Sequence, residues 1–253
     1  MQLYGLIGYQ LTHSFSPDYF NEKFKKENID ALYKTFPIKK LSELYTIIDK
    51  NPDLQGLNVT IPYKESIIPY LDFIDEEAKK IHAVNTVVIK REHSQILLRG
   101  YNTDIYGFKH SILPFITQQK NRVALILGTG GTAKTVEYVL TTLDFEIYKA
   151  TRSQSQKNQK ILNYNDLSRE LIQQTKLIVN TSPVGMYPHI EEKPAIPYEE
   201  IDSEHLLFDV VYNPSETLFL KEGEKRGALT KNGYEMLILQ AQKAWDLWNA
   251  KNI

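Results

Sequence analysis

The chain has 253 residues, a net charge of −1 and no cysteine. That length accommodates one large domain or two small ones, the charge leaves no broad basic surface for nucleic acid, and the missing thiols remove disulfides, thiolate catalysis and cysteine-bound metal together. Residues 1–6 lack a secretion signal's basic and apolar regions, no apolar run is long enough to cross a bilayer, and the six histidines show no ligand spacing on a helix. The expectation is a soluble cytoplasmic protein that engages neither membrane, nucleic acid nor metal.

Residues 3–8 read as a buried strand ending at a glycine. Thr12-His13-Ser14-Phe15-Ser16-Pro17 then opens a helix. Serine caps free N–H groups and proline fits a first turn, which assigns the cap to Ser16. Phe20 and Phe24 stand four apart on the apolar side, with Lys23, Lys25 and Lys26 as a solvated face. Capping alone explains Ser16 but not Ser14. Two hydroxyls at a helix mouth suit a carboxylate, because donors and dipole both favour an anion there. Residues 31–38 read as a second strand and 42–49 as a helix.

Gly56-Leu57-Asn58-Val59-Thr60-Ile61-Pro62-Tyr63-Lys64 reads as a strand, a proline stop and a helix start. Leu57, Val59 and Ile61 alternate with Asn58 and Thr60, so one face is apolar and the other offers an amide and a hydroxyl. Pro62 has no N–H and ends the strand. A partly desolvated Lys64 at that end could shuttle a proton, although most lysines are simply exposed. Residues 75–81 read as a helix. Residues 83–89 and 95–99 form a hairpin across 91–94, and Gly100-Tyr101-Asn102-Thr103-Asp104 leads into a helix from Ile105. Asn85 and Asp104 also have plain local uses, a backbone bond and a helix cap. The polar, glutamine-rich stretch 114–121 suggests a change of domain.

Val123-Ala124-Leu125-Ile126-Leu127 reads as a buried parallel strand. Gly128-Thr129-Gly130-Gly131-Thr132-Ala133 follows, with a helix over 132–143. This is the G-x-G-x-x-A dinucleotide fingerprint in its strand–turn–helix context. The next strand, 146–150, ends in Thr151-Arg152-Ser153. A reader of NAD usually has an acidic residue there; arginine with serine suits the 2′-phosphate of NADP. The pattern continues with a helix over 165–174, a strand over 177–180, Ser182-Pro183-Val184-Gly185-Met186, a strand over 206–211, a helix over 217–225 and a last helix over 234–249. Leu237, Ala241, Ala244, Trp245 and Trp248 make that helix's apolar stripe, with Gln240 beside it.

Taken together, these stretches resemble the shikimate dehydrogenase family. The resemblance rests on His13-Ser14-Phe15-Ser16-Pro17, Asn58 to Lys64, Ala83-Val84-Asn85-Thr86, Asn102-Thr103-Asp104, Gly128 to Ala133, and Asn232-Gly233 with Met236-Leu237 and Gln240. It covers nearly the whole chain, and the order and spacing are specific where each motif alone is modest. It implies a reversible, NADP-linked reduction of 3-dehydroshikimate to shikimate, a step of chorismate and aromatic amino acid biosynthesis. It implies an α/β fold of two domains around a cleft. Residues 1–104 plus 233–253 would form a substrate domain, and 105–232 a Rossmann-type NADP domain with a mostly parallel sheet.

Carried over by resemblance, Lys64 and Asp104 are the catalytic pair. Ser14 and Ser16 hold the substrate carboxylate, with Tyr212 near it, while Thr60, Lys64, Asn85, Asp104 and Gln240 bind the ring hydroxyls. Gly128, Thr129, Gly130, Gly131, Thr132, Ala133, Thr151, Arg152, Ser153, Val210 and Gly233 hold the cofactor. There are two departures. Thr151-Arg152-Ser153 stands where the family often has Asn-Arg-Thr, leaving one evident arginine and Lys157 as a candidate second cation. Val210 offers only backbone to the nicotinamide side. Three other readings remain: an NAD-preferring quinate/shikimate dehydrogenase, a folate dehydrogenase with a catalytic lysine, and a non-catalytic dinucleotide sensor. The missing acid at 151–153, the Ser14/Ser16 pair, and the Lys64/Asp104 pair weigh against them in turn.

Overall fold

The computed structural model describes residues 1–11, 14–92, 95–117, 120–152 and 160–250. The chain divides into two compact units, one of Met1–Thr103 with Ala241–Ile253 and one of Asp104–Gln240.

The first unit runs β1 (Gln2–Gly8), α1 (Phe15–Lys26), β2 (Ala31–Pro37), α2 (Glu43–Lys50), β3 (Leu54–Val59), α3 (Tyr63–Ser66), β4 (Phe73–Ile74), α4 (Glu76–Ile81), β5 (Thr86–Glu92) and β6 (Gln95–Tyr101). They build one sheet, ordered β2-β1-β3-β5-β6-β4. The β1, β2 and β3 strands are parallel, whereas β5 runs antiparallel to both β3 and β6. Both faces are covered, which is why β1 is buried from Leu3 to Gly8 and carries no charged residue. Leu3 and Ile7 join Leu44, Ile48, Leu57 and Val87 on one side. Tyr4 and Leu6 join Phe20, Phe24, Tyr33 and Trp248 on the other, as strand alternation requires. Fully burying one such large side chain is worth roughly 1.5–3 kcal/mol. Gly56 is required in β3 because the Trp248 indole occupies the space a Cβ would need. That indole donates to the Val87 carbonyl at 3.0 Å.

The second unit takes α5 (Thr103–Ile116) from its second residue. It continues with β7 (Val123–Leu127), α6 (Gly131–Thr142), β8 (Glu146–Thr151), β9 (Ile161–Asn163), α7 (Arg169–Gln174), β10 (Leu177–Asn180), β11 (Leu206–Asp209), α8 (Leu218–Glu224), β12 (Leu229–Asn232) and the first part of α9 (Tyr234–Asn249). Its sheet is ordered β12-β11-β10-β7-β8-β9, and every pairing is parallel. Numbered along the chain, that is the dinucleotide-fold order, with its switch point between β7 and β10.

Several expected boundaries move. The β3 strand spans Leu54–Val59, so it ends three residues before Pro62. The 165–174 helix contracts to α7, preceded by a 3-10 turn over Tyr164–Asp166, because Ser168 caps α7 through Leu171 N. Pro114 lies inside α5. The short strands β4, β9 and β12 have too few residues to show periodicity. Residues 12–13, 93–94, 118–119, 153–159 and 251–253 lie outside the described residues, which takes in His13, Ser153 and Lys157.

Candidate active site

In the first unit, the Ser14-Phe15-Ser16-Pro17 stretch differs from expectation. Ser14, not Ser16, is the N-cap residue of α1, with φ −80° and ψ 133°. Its hydroxyl makes no cap bond and donates instead to the Leu11 carbonyl at 3.0 Å. Ser16 sits one turn-step inside and is half-buried. It hydrogen-bonds Tyr33, whose own hydroxyl donates to Asn58 Oδ1 at 2.7 Å. Complete burial drives the Tyr33 phenol far above its usual range, so it stays a neutral donor.

From Asn58 the chain of bonds continues. Asn58 Nδ2 donates to the Asn85 carbonyl (3.3 Å) and to Thr86 Oγ1 (3.2 Å). Asn85 Oδ1 accepts from Thr86 Oγ1 at 3.1 Å and from the Thr103 backbone N–H at 2.7 Å. Asn58, Asn85, Thr86 and Thr103 are all buried, and a buried polar group needs such partners. The Asn85 amide therefore takes the first N–H of α5, a helix 18 residues away. Thr60 and Lys64 stand just past the end of β3, both half-buried. The Lys64 backbone is fixed by Val84, whose N–H donates to the Lys64 carbonyl at 2.7 Å. Ser16, Asn58 and Asn85 thus share one bonded network, and backbone bonds tie Thr60 and Lys64 to the same strand ends.

In the second unit, Asp104 is buried in the first turn of α5. Gly107, one turn on, has no side chain because Met236 and Gln240 of α9 occupy that space. This close approach sets the buried Gln240 beside α5, on the side that residues 104 and 107 share. Tyr212 is half-buried after β11, and burial raises its phenol pKa. Val210 and Gly233 are brought together: a side chain at 233 would collide with the Val210 backbone.

A cleft of about 920 Å³ opens at the carboxyl ends of β7, β8 and β10. Gly128, Thr129 and Gly130 line it, with Thr151 at the end of β8, Arg152 after it, and Thr181 and Ser182 after β10. Gly128 has φ +118°, a turn that side-chain-bearing residues rarely adopt. Gly130 and Gly131 differ from it: a Cβ added at either meets nothing within 4 Å. The protein's own packing does not require those glycines; the space they leave lies over the N-terminus of α6, where N–H groups and dipole favour a diphosphate. Ala133 is buried and lets α6 pack on the sheet. Arg152 adds a cation to the lining. The acid in the lining, Glu192, belongs to the 192–195 segment and not to the end of β8. These residues fit NADP. Sequence reasoning missed Asn163, Tyr164 and Lys193 as cleft residues, since no motif marks them. Among the described residues no group of three or more His, Cys, Asp or Glu could hold a metal.

A family model, the shikimate dehydrogenase substrate binding domain, matches residues 6–87. The NADP-dependent shikimate dehydrogenase of Clostridium beijerinckii is 39% identical, over 98% of this chain and 92% of its own. A shikimate dehydrogenase solved with NADP+ superposes with a TM-score of 0.85 at 33% identity, covering 98% of this chain and 90% of its own. The quinate dehydrogenase of Corynebacterium glutamicum, solved with NAD, gives 0.86 at 28% identity, covering 98% and 93%. With 39% identity to such an enzyme over 98% of its length, the chain belongs to the shikimate dehydrogenase family.

Proposed function

We propose that this protein is an NADP-dependent shikimate dehydrogenase, interconverting 3-dehydroshikimate and shikimate in the cytoplasm without metal, membrane or nucleic acid. The observation that carries the reading is the family likeness over 98% of the chain, which spans both the Lys64 strand end and the glycine-lined, Arg152-bearing cleft. NADPH, when bound, supplies the hydride that the carbonyl carbon of 3-dehydroshikimate accepts. The protein contributes position, charge and a proton.

Ser14 and Ser16 hold the substrate carboxylate at the N-terminus of α1, each turning toward it a hydroxyl that otherwise bonds the Leu11 carbonyl or Tyr33. Thr60, Asn85 and Gln240 take the ring hydroxyls, and Tyr212 lies near the carboxylate. Lys64 Nζ donates a proton to the carbonyl oxygen as it becomes an alkoxide, and its charge stabilises that oxygen. Asp104 is the other member of the catalytic pair. In the reverse direction Lys64 removes the hydroxyl proton. The Tyr33–Asn58–Thr86–Asn85 network keeps the strand ends carrying these groups rigid. Arg152 pairs with the 2′-phosphate and selects NADP over NAD.

The NAD-linked quinate enzyme of similar fold makes one comparison decisive. Cofactor reduction should be followed with shikimate and quinate, each with NADP and NAD. Reduction fastest with shikimate and NADP supports the reading. Preference for quinate with NAD would overturn both the substrate and the cofactor assignment.

A further inference from the structure

Asp209 closes β11 with no exposed surface, and among the described residues it has no ion pair. Burial pushes its carboxyl up to about 7, against the pull of three donors. Asp209 Oδ1 accepts from Asn180 Nδ2 and from Val211 N, both at 3.0 Å. Oδ2 accepts from Thr217 Oγ1 at 2.6 Å, and Thr217 caps α8. An acid buried without a cation is costly for a fold, and this one stands where open α/β sheets bind ligands, at the strands' carboxyl ends.

What it does there follows from donor–acceptor bookkeeping. Asp209 Oδ1 already accepts from the Val211 N–H, so the Asn180 amide must turn its NH2 toward that oxygen. Its Oδ1 then faces Ser182, and it accepts from Ser182 N (3.1 Å) and Ser182 Oγ (2.7 Å). The Ser182 hydroxyl proton is thereby committed to Asn180. Of the two acceptor sites left on Ser182 Oγ, one takes a long bond from Val184 N, 3.4 Å. The other remains for the cleft, which Ser182 lines. Ser182 follows β10, across the switch point from Arg152 after β8. It therefore faces the half of a dinucleotide that Arg152 does not, the nicotinamide nucleotide.

We propose that Ser182 is a cofactor-contacting residue that accepts a hydrogen bond from the nicotinamide nucleotide half, and that Asp209, acting through Asn180, is the positioning residue that commits its hydroxyl to that role. The proposal rests on the cleft being an NADP site. Losing one neutral hydrogen bond of ordinary strength weakens binding about three- to ten-fold, so Ser182→Ala should raise the NADP dissociation constant by that factor. It should leave unchanged the constant for 2′,5′-ADP, a probe with the adenosine and its phosphates but no nicotinamide nucleotide. Asn180→Leu keeps the volume, removes the relay and should act in the same direction. In the double variant its effect should disappear, because it acts only through Ser182. Titrations and melting temperatures are measured on the full chain. If Asn180→Leu does not fold, Ser182→Ala decides the matter alone. Unchanged NADP binding by Ser182→Ala, or an equal loss for both probes, overturns the proposal. If the unmodified protein binds neither probe, it is the cofactor reading that fails.

Discussion

Gly130 offers a perturbation that separates folding from ligand binding. Its backbone, at φ −78° and ψ −171°, lies in a region any residue adopts. An added Cβ meets nothing within 4 Å, so Gly130→Ala is accommodated by the protein alone. Alanine is a poorer N-cap than glycine, but it also reduces the freedom of the unfolded chain, by about 0.4–1 kcal/mol. The two terms nearly offset, and for a chain of this size a residual of 1 kcal/mol moves Tm by only about 2–4 °C. With a diphosphate bound, the same methyl lies between ligand and backbone. Forcing an extra methyl into a filled site costs about 1–3 kcal/mol, or roughly a five- to 150-fold loss of affinity. NADPH fluorescence titration and a melting curve without cofactor measure the two quantities on one sample. Gly128→Ala is the contrast. Its φ of +118° and the Thr181 hydroxyl 2.8 Å from the added Cβ strain the fold itself, so its Tm should fall clearly. Were Gly130→Ala to bind NADPH as tightly as the unmodified protein, the open space would not be the diphosphate site.

Lys64→Ala should lower turnover by about 10²–10⁴-fold, the range for a positioned acid–base group, with a smaller change in shikimate affinity; near-normal turnover would remove Lys64 from the mechanism. Ser14→Ala should weaken shikimate binding about ten- to hundred-fold, through the roughly 1.5–3 kcal/mol of a bond to a charged acceptor. Ser14 makes no cap bond, and the variant loses only the hydroxyl's bond to the Leu11 carbonyl, so its Tm should fall only slightly; an unchanged shikimate constant would place the carboxylate elsewhere. Arg152→Ala should weaken NADP and leave NAD nearly unaffected; an equal loss would make Arg152 a support of the fold. Glu222, bonded by Lys225, Arg226 and Lys193, has its carboxyl lowered from 4.5 to about 2. Its contribution to stability is therefore present above pH 4.5 and is lost as the pH falls toward 2. The Tm deficit of Glu222→Gln should shrink between pH 6 and pH 3, and a constant deficit would count against those bonds.

The parallel sheet was legible because its central strands are apolar runs. Val123–Leu127 and Leu177–Asn180 are found where they are expected, as is the last helix, Tyr234–Asn249. The cofactor cleft was legible through its glycines, whose type is fixed by one backbone angle and by space left for a ligand. What stayed hidden was set by contacts distant in sequence. The cap of α1 moved from Ser16 to Ser14 because the Ser16 hydroxyl is drawn to Tyr33, on a neighbouring strand.

Asn85 shows the same limit from the other side. Its residue type suited a local backbone bond, and its partners prove to be Thr86 beside it and the N-terminus of α5, reached only after a whole hairpin. That choice matters for the proposed chemistry. A side chain closing a helix N-terminus cannot turn freely, so the rest of the Asn85 amide is aimed before any substrate arrives. The same holds for Ser182, whose hydroxyl proton is committed by Asn180 and Asp209. In each unit one residue proposed to touch a ligand, Asn85 in the first and Ser182 in the second, is held from behind by bonds to buried partners. Orientation is then set during folding, so less ordering remains to be done when a ligand binds.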